Sequence, residues 1–269
     1  MVDFQCKPIY DYTDLLEIMK LLREPGGCPW DREQTHESIR RNFLEETCEA
    51  VEAIDSKDPA ALCEELGDVL MQVVFHAQIE SESGRFSMSD VVDGVCKKLI
   101  YRHPHVFGET RVQGSGEVLD NWETLKRAEK GQSSTADAID AVARTLPALW
   151  RAEKIGTKAV KAGFAWPNST GTLVKLEEET GELVHAAQAG TAQDGPHGVR
   201  EELGDVLFAA VQVAREFGVD PEEALHAASD KFARRFRFVE NGAAGRPLGS
   251  LGAERLEELW DAAKTEERS

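Results

Sequence analysis

The chain has 269 residues, 41% of them hydrophobic and 30% charged, a composition that suits a soluble globular protein of one large domain or two ordinary ones. Its formal net charge of -18 argues against a nucleic acid polymer as partner, because like charges repel. No apolar run approaches the roughly 20 residues that cross a membrane, and the N-terminal segment lacks the basic and apolar regions of a signal peptide.

The number and spacing of the cysteines predict the redox environment of the protein. The chain has 5, an odd count without a Cys-x-x-Cys pair, so we expect free thiols and neither a disulfide framework nor a zinc site. Free thiols are typical of reducing compartments, and we therefore predict a cytoplasmic protein that does not contact a membrane. The residues are Cys6, Cys28, Cys48, Cys63 and Cys96.

Helical periodicity dominates the first half of the chain. Apolar residues between Leu15 and Leu22 recur three and four positions apart, which predicts a helix that ends before Gly26. A second helix is predicted over about residues 39–54 and a third over about residues 60–79. Ser87, with an acidic residue three positions later, predicts the capped start of a fourth helix. No convincing alternating strand pattern occurs.

The second half repeats this order of helices. Asp220 followed by Pro221 predicts a helix start, with aspartate as the cap and proline at the first helical position. We therefore predict an all-α fold of two tandem helical domains. Their expected limits are residues 1–130 and 141–269, with a linker over residues 131–140. A loose loop is expected at residues 114–116, and the Gly-rich segment 242–252 is expected to be a flexible flap.

Two acidic motifs each occur twice. The first half has Glu45-Glu46-x-x-Glu49 and then Glu64-Glu65-Leu66-Gly67-Asp68. The second half has Glu178-Glu179-x-x-Glu182 and then Glu201-Glu202-Leu203-Gly204-Asp205. The sequence between the motifs has largely diverged, so their retention in both halves indicates a duplicated functional unit.

The spacing of these motifs predicts a metal site in each half. Residues three apart on a helix share a face, so two packed antiparallel helices would bring four carboxylates together. All-oxygen ligands suit hard cations, which predicts Mg²⁺ or Mn²⁺ and, through the metal, the phosphates of a small substrate. The candidate ligands are Glu46, Glu49, Glu65 and Asp68 in the first half and Glu179, Glu182, Glu202 and Asp205 in the second.

Further residues of the motifs have expected roles beside the metal. Glu45 and Glu178 each precede the first candidate ligand by one residue and therefore lie on an adjacent face of the helix. They are candidates for a fifth metal ligand or for a group that orients the other ligands. Gly67 and Gly204 interrupt otherwise good helices, at a cost of about 1 kcal/mol relative to alanine. Their repetition predicts a close approach of two helices beside the site.

A basic pair and a tryptophan follow each acidic unit. The cations either neutralise the carboxylates as an ion-pair network or bind the phosphates beyond the metal, and the residues favour the second function without excluding the first. Trp122 is expected to anchor a helix, whereas anchoring and stacking on a nucleobase are equally supported for Trp260. The basic pairs are Lys98 with Arg102 and Lys231 with Arg235.

Other site classes find little support. Glu182-x-x-His185 matches half of a di-iron motif, but the first half has Glu52 at the matching place, so a ferritin-like protein is disfavoured. The segment 103–105 is expected to be a loop with a structural role. The sequence contains neither a P-loop nor a Rossmann glycine motif.

Three more segments make the pattern resemble a known family. They are Cys28-Pro29-Trp30-Asp31-x-x-Gln34-Thr35-His36, His103-Pro104-His105-Val106-Phe107 and Lys161-x-Gly163-Phe164-x-Trp166. Together with the acidic motifs, they resemble the MazG-type nucleoside triphosphate pyrophosphohydrolases over nearly the whole chain.

The resemblance implies an all-α fold whose helical halves pair in a homodimer to complete four-helix sites. It implies hydrolysis of a nucleoside triphosphate between the α- and β-phosphates, with the eight carboxylates named above as metal ligands. It also implies that Lys231, Arg235 and Trp260 contact the substrate. Many members have asparagine two residues before the lysine, where this chain has Ser229, so one family contact differs here. Glu45 or Glu178 is the candidate general base.

Two alternative functions remain open. A narrow dUTPase- or dCTPase-like hydrolase would show similar four-carboxylate helices, and a non-enzymatic helical regulatory module would use its acidic faces to dock partners. We favour a broad-specificity hydrolase that serves nucleotide-pool housekeeping. The second half is expected to be the active one, because it alone has the Gly-rich segment before its Trp-bearing helix, and the resemblance points the same way.

Overall fold

The structure is a computed structural model that describes residues 4–164, 169–190 and 197–267. The chain divides into two compact units, Met1–Lys126 and Arg127–Ser269. Across the described residues the secondary structure is helical and contains no strand, which confirms the predicted all-α fold. Trp166, one of the residues that carry the family resemblance, lies outside the described residues. The predicted domain limits and the linker stay predictions.

Several helices of the first unit begin at caps that their local sequence provides. Asp11 and Asp58 cap two of them by accepting hydrogen bonds from backbone N–H groups. At the predicted fourth helix, Asp90 accepts hydrogen bonds from the backbone and the hydroxyl of Ser87. The helices are α1 Tyr12–Arg23, α2 Pro29–Glu33, α3 His36–Ser56, α4 Pro59–Glu82, α5 Met88–Arg102, α6 Pro104–Phe107 and α7 Ser115–Glu129, the last of which runs past the boundary of the unit.

Two long helices, α3 and α4, form the centre of the first unit. They are joined by only two residues, so they pack as an antiparallel hairpin, and α1 covers one side of it. The core that they share contains Met19, Ile39, Val74 and Phe75. Arg23, almost fully buried, bonds to Glu82 at the end of α4 and to backbone carbonyls of the segment between α1 and α3, which fixes that segment on the hairpin.

The second unit is built on a similar hairpin. Helices α10 and α11 pack together, α9 lies against α11, and α12 packs against α13. Asp220 caps α12 as predicted and also accepts a hydrogen bond from the indole N–H of Trp150. The helices are α8 Thr135–Asp140, α9 Ala148–Lys161, α10 Ser169–Gln188, α11 Val199–Glu216, α12 Pro221–Gly242 and α13 Ala253–Glu266, with a 3-10 helix at Leu248–Ser250.

Three local predictions were wrong. The segment 103–105 is not simply a loop, because Pro104 begins α6 at a position where proline costs no hydrogen bond. Residues 114–116 lead directly into α7, whose first turn is closed by the Gln113 N–H donating to Glu117. A Cβ atom at Gly67 or Gly204 would meet no atom within 4 Å, so neither glycine marks a close helix approach within this chain.

Two global predictions can also be compared with the structure. All five cysteines are free thiols, as predicted. None of the helices in the described residues is both long enough and apolar enough to cross a membrane.

Candidate metal centre

The α3–α4 hairpin brings three of its four predicted ligands together. Carboxylate oxygens of Glu46 and Glu49 on α3 and of Glu65 on α4 all lie within 4.8 Å of one another. Asp68 is outside this group of three but is close enough for its charge to act on Glu46. Glu46 and Glu65 are half-buried, whereas Glu49 is exposed.

The α10–α11 hairpin does the same in the second unit. Oxygens of Glu179 on α10 and of Glu202 and Asp205 on α11 lie within 4.8 Å of one another. Glu179 and Glu202 are buried, so this group is more enclosed than the one in the first unit. Glu182 is the fourth predicted ligand and lies beside the group, where the charges of Glu179 and Glu202 act on it.

Burial and neighbouring carboxylates raise the pKa values of Glu46 and Glu65 in the first unit and of Glu182 in the second. Burial raises the pKa of Glu46 most, and the charges of Asp68 and Glu49 raise it further. Glu65 is affected in the same way, by burial first and then by Glu49 and Asp68. In the second unit, burial and then Glu179 and Glu202 raise the pKa of Glu182. A converging, all-oxygen donor set of like charges fits a hard divalent cation.

Lys175 is a component of the second group that the sequence analysis missed. Its ammonium lies 2.8 Å from Glu179 and 2.9 Å from Glu178, and these hydrogen bonds raise the pKa of Lys175. The lysine precedes both glutamates by one helical turn, and this spacing could have revealed it. The first half has Asn42 at the matching place, so it has no counterpart of Lys175 at this position.

A pocket of about 430 Å³ opens beside the second carboxylate group. This volume is typical of a site for a small molecule. His197, with a φ of 58°, places its Nδ1 3.5 Å from Glu202. The sequence analysis did not single out His197 and considered His185 only as part of a di-iron motif. The lining includes Glu178, Gly181, Glu182, His185, His197 and Glu202.

The two candidate general bases are both exposed and both paired with a basic residue on their own helix. Arg41 donates a hydrogen bond of 2.7 Å to Glu45, and Lys175 donates one of 2.9 Å to Glu178. Each candidate base therefore has a positive charge beside it.

The basic residue and tryptophan predicted beside each site are arranged differently in the two units. In the first, the buried Arg102 lies 4.9 Å from the ring centre of Trp122, and Lys126 lies 4.8 Å from it. Two cations on one indole suit the predicted anchoring role, and Lys98 is half-buried nearby in sequence.

In the second unit, Trp260 contacts the ring of Phe232 at 5.2 Å and lies 5.9 Å from the guanidinium carbon of Arg235. Arg235 also bonds to Glu267 just beyond the end of α13. Lys231 is exposed and is paired with no carboxylate among the described residues.

Each of the two units contains a helical hairpin with clustered carboxylates. Such clusters are typical of helical proteins that bind hard divalent cations through oxygen ligands. The model of the MazG nucleotide pyrophosphohydrolase domain matches the chain twice, over residues 34–107 and 168–239. Each match contains one complete set of acidic motifs. The chain therefore belongs to the MazG nucleotide pyrophosphohydrolase family, which confirms the predicted resemblance, and the two matches are consistent with the predicted tandem arrangement.

Full-length relatives support the family assignment. The nucleoside triphosphate pyrophosphohydrolase of Escherichia coli K12 is 43% identical over 256 residues, which cover 94% of this chain and 97% of the relative. The nucleoside triphosphate pyrophosphohydrolase/pyrophosphatase MazG of Thermotoga maritima is 43% identical over 94% of this chain and 95% of its own length. The uncharacterized protein YabN of Bacillus subtilis is 42% identical over 96% of this chain, which matches 53% of that protein.

Proposed function

We propose that this protein hydrolyses nucleoside triphosphates, and their deoxy forms, between the α- and β-phosphates with Mg²⁺ or Mn²⁺ as cofactor. The products would be a nucleoside monophosphate and pyrophosphate. The observation that carries the proposal is the enclosed all-oxygen group of Glu179, Glu202 and Asp205, repeated in simpler form in the first unit. The names of the Escherichia coli and Thermotoga maritima relatives, both nucleoside triphosphate pyrophosphohydrolases, support the same reaction.

The carboxylates of each hairpin would hold the metal. We assign Glu179, Glu182, Glu202 and Asp205 to this role in the second unit and Glu46, Glu49, Glu65 and Asp68 in the first. A bound divalent cation polarises phosphate oxygens and lowers the pKa of a water molecule. Glu178, which accepts a hydrogen bond from Lys175, is the residue that we propose accepts the proton of the attacking water, with Glu45 as its counterpart.

Basic residues on α12 in the second unit and on α5 in the first would bind the phosphates. Lys231 is exposed and Arg235 is one turn away on the same face of α12, so the two can reach neighbouring phosphate groups. Trp260 would lie against the nucleotide beside them. Lys98 and Arg102 are proposed for the same function in the first unit, but the buried Arg102 is less able to reach a substrate.

The second unit is proposed to carry most of the activity. Its acidic group is more buried, Lys175 offsets part of its charge, and a pocket of suitable size adjoins it. Electrostatic interactions are stronger where water is excluded, so a buried group can discriminate better between bound states of the substrate.

A homodimer is proposed because both hairpins leave apolar side chains on their surface. Contiguous exposed apolar residues usually mark a contact with another molecule. A second copy of the chain would cover them and complete a four-helix arrangement around each site. The exposed residues include Leu44, Val51, Ile54 and Leu66 in the first hairpin and Leu173, Val184, Leu203 and Leu207 in the second.

Product analysis with the purified protein tests the proposal. With Mg²⁺ and each of the common ribo- and deoxyribonucleoside triphosphates, we expect pyrophosphate and the monophosphate from several of them, and no turnover in excess EDTA. This breadth would support a housekeeping role in the nucleotide pool. Turnover of dUTP or dCTP alone would favour the narrow hydrolase, and absence of turnover with every nucleotide would favour a regulatory module. Orthophosphate with the diphosphate as the only products would refute the proposed reaction.

A further inference from the structure

Arg235 is fixed in place by contacts that span two helices. Its Nε donates a hydrogen bond of 2.8 Å to Oε2 of Glu267, and its Nη2 lies 2.7 Å from the same oxygen. The ring of Trp260 lies 5.9 Å from the guanidinium carbon. Only 20% of the arginine side chain is exposed. The residues that hold it both come from the C-terminal end of the chain, from α13 and the residue that follows it.

We infer that Glu267 is a positioning residue, which orients Arg235 so that one edge of its guanidinium group faces the substrate's phosphates. This inference rests on the proposed function, in which Arg235 binds phosphate. A guanidinium group has five N–H donors in a rigid plane. Glu267 occupies the edge formed by Nε and Nη2. The opposite edge, with Nη1 and the second hydrogen of Nη2, is left for two phosphate oxygens.

The reason for such a residue is the flexibility of arginine. A free arginine side chain loses much rotamer freedom when it binds a ligand, whereas one that is already held loses little. Lys231, one turn earlier on α12, is exposed and has no ion pair in the described part of the chain. The two cations of the site therefore differ: Lys231 is a mobile charge, and Arg235 is held in one orientation.

Glu267 is held at the right place by its own surroundings. Its second oxygen, Oε1, lies 3.7 Å from Nε of Arg234, so its charge is shared between two neighbouring arginines. The glutamate follows α13 immediately, and α13 packs against α12 through the buried residues Leu259 and Ala263. Packing between these two helices therefore sets the distance between Glu267 and Arg235.

The alternative is that Glu267 imitates a phosphate and competes with the substrate for Arg235. The two functions predict opposite effects of its removal. A positioning residue lowers KM, so its loss raises KM. A competing carboxylate raises KM, so its loss lowers KM. The geometry favours positioning because Glu267 uses only one edge of the guanidinium group.

Steady-state kinetics on a double-mutant cycle test the inference in the full-length protein. The variants are Glu267→Gln, Arg235→Lys and the two combined, with ATP and Mg²⁺ as the assay substrate and cofactor. We expect Glu267→Gln to raise KM about tenfold with little change in kcat, the effect expected for one charge-assisted hydrogen-bond partner. Lysine cannot form the forked contact, so Glu267→Gln should have little further effect once Arg235 is lysine.

Two further variants separate positioning from a general effect on stability. Glu267→Asp keeps the charge but withdraws it by one methylene group, and we expect a KM between those of wild type and Glu267→Gln. Glu258→Gln removes an exposed ion pair with Arg255 on the same helix and should leave KM unchanged. Melting temperatures of all variants show whether any of them is partly unfolded.

Three results would overturn the inference. They are a KM for Glu267→Gln equal to or below that of wild type, additive effects of the two substitutions in the cycle, and an equal rise in KM for Glu258→Gln. If Arg235→Lys raises KM and Glu267→Gln does not, only the inference fails and the proposed function stands. If Arg235→Lys leaves KM unchanged, or if the wild type releases no pyrophosphate, the proposed phosphate contact or the proposed function fails as well.

Discussion

Replacement of Glu179 by glutamine should abolish most of the activity without unfolding the protein. Glu179 has two acidic neighbours, Glu202 and Asp205, within 4.8 Å. At an effective dielectric constant of about 20, each such pair repels by at least roughly 3.5 kcal/mol. On the same scale, the attraction to Lys175 at 2.8 Å is roughly 6 kcal/mol. The loss of this attraction and the relief of both repulsions nearly cancel, so we expect only a small change in the melting temperature without metal.

The effect on catalysis should be much larger. Residues that merely orient a metal ligand already contribute about 10- to 100-fold to metal affinity or activity. We therefore expect Glu179→Gln to lower kcat/KM by at least about 100-fold, equivalent to about 2.7 kcal/mol of transition-state stabilisation. It should also remove most of the rise in melting temperature that Mg²⁺ causes through binding to the second unit.

The first half of the chain supplies a matched control. Glu46 occupies the place of Glu179 in the first acidic motif, but Asn42 stands where the second half has Lys175, and the group includes the exposed Glu49. Glu46→Gln should therefore leave most of the turnover intact. The assay is pyrophosphate release from ATP at a series of Mg²⁺ concentrations for both variants. If Glu46→Gln abolishes activity and Glu179→Gln does not, the assignment of the two halves is reversed; wild-type kcat/KM in both variants would refute the metal-ligand assignment altogether.

Three further predictions concern stability and assembly. Hydrogen bonds from Arg85 hold the pKa of Glu80 at about 2, below its usual 4.5. The stability that this carboxylate contributes is therefore present above pH 4.5 and is lost as the pH falls towards 2. Glu80→Gln should flatten the dependence of melting temperature on pH in this range, and an unchanged slope would contradict the reasoning. Gly156→Ala should lower stability by about 1–3 kcal/mol in denaturant titrations, because its Cβ would lie 2.0 Å from Oε1 of the buried Gln212. At Gly94 an added Cβ would meet no atom within 4 Å, so Gly94→Ala should instead raise stability by up to about 1 kcal/mol. A loss of stability in Gly94→Ala would contradict the steric explanation for Gly156→Ala. Sedimentation at assay concentration should give twice the chain mass of 29.7 kDa, and an active monomer would rule out the proposed dimer.

Local sequence signals predicted most of the helices and both acidic groups. The capped starts at Ser87 and Asp220 are found as expected, because a cap depends on residues within one turn of the helix end. The carboxylates of each hairpin are brought together because glutamates three residues apart share a helix face whatever the rest of the fold does. Lys175 follows the same rule and could have been predicted.

Tertiary packing decided the features that no local rule describes. The pairing of Arg235 with Glu267 depends on how α13 packs against α12, and the contact of Arg23 with Glu82 depends on how α1 packs against the first hairpin. His197, which lies just before α11, lines the pocket beside the second carboxylate group. Nothing in its neighbouring sequence predicts this position. The sequence thus determined the helices and the chemical character of the site, since these depend on neighbouring residues. The packing of helices far apart in the chain determined which cations are held in place and how deeply each carboxylate group is buried, since these depend on contacts between distant residues.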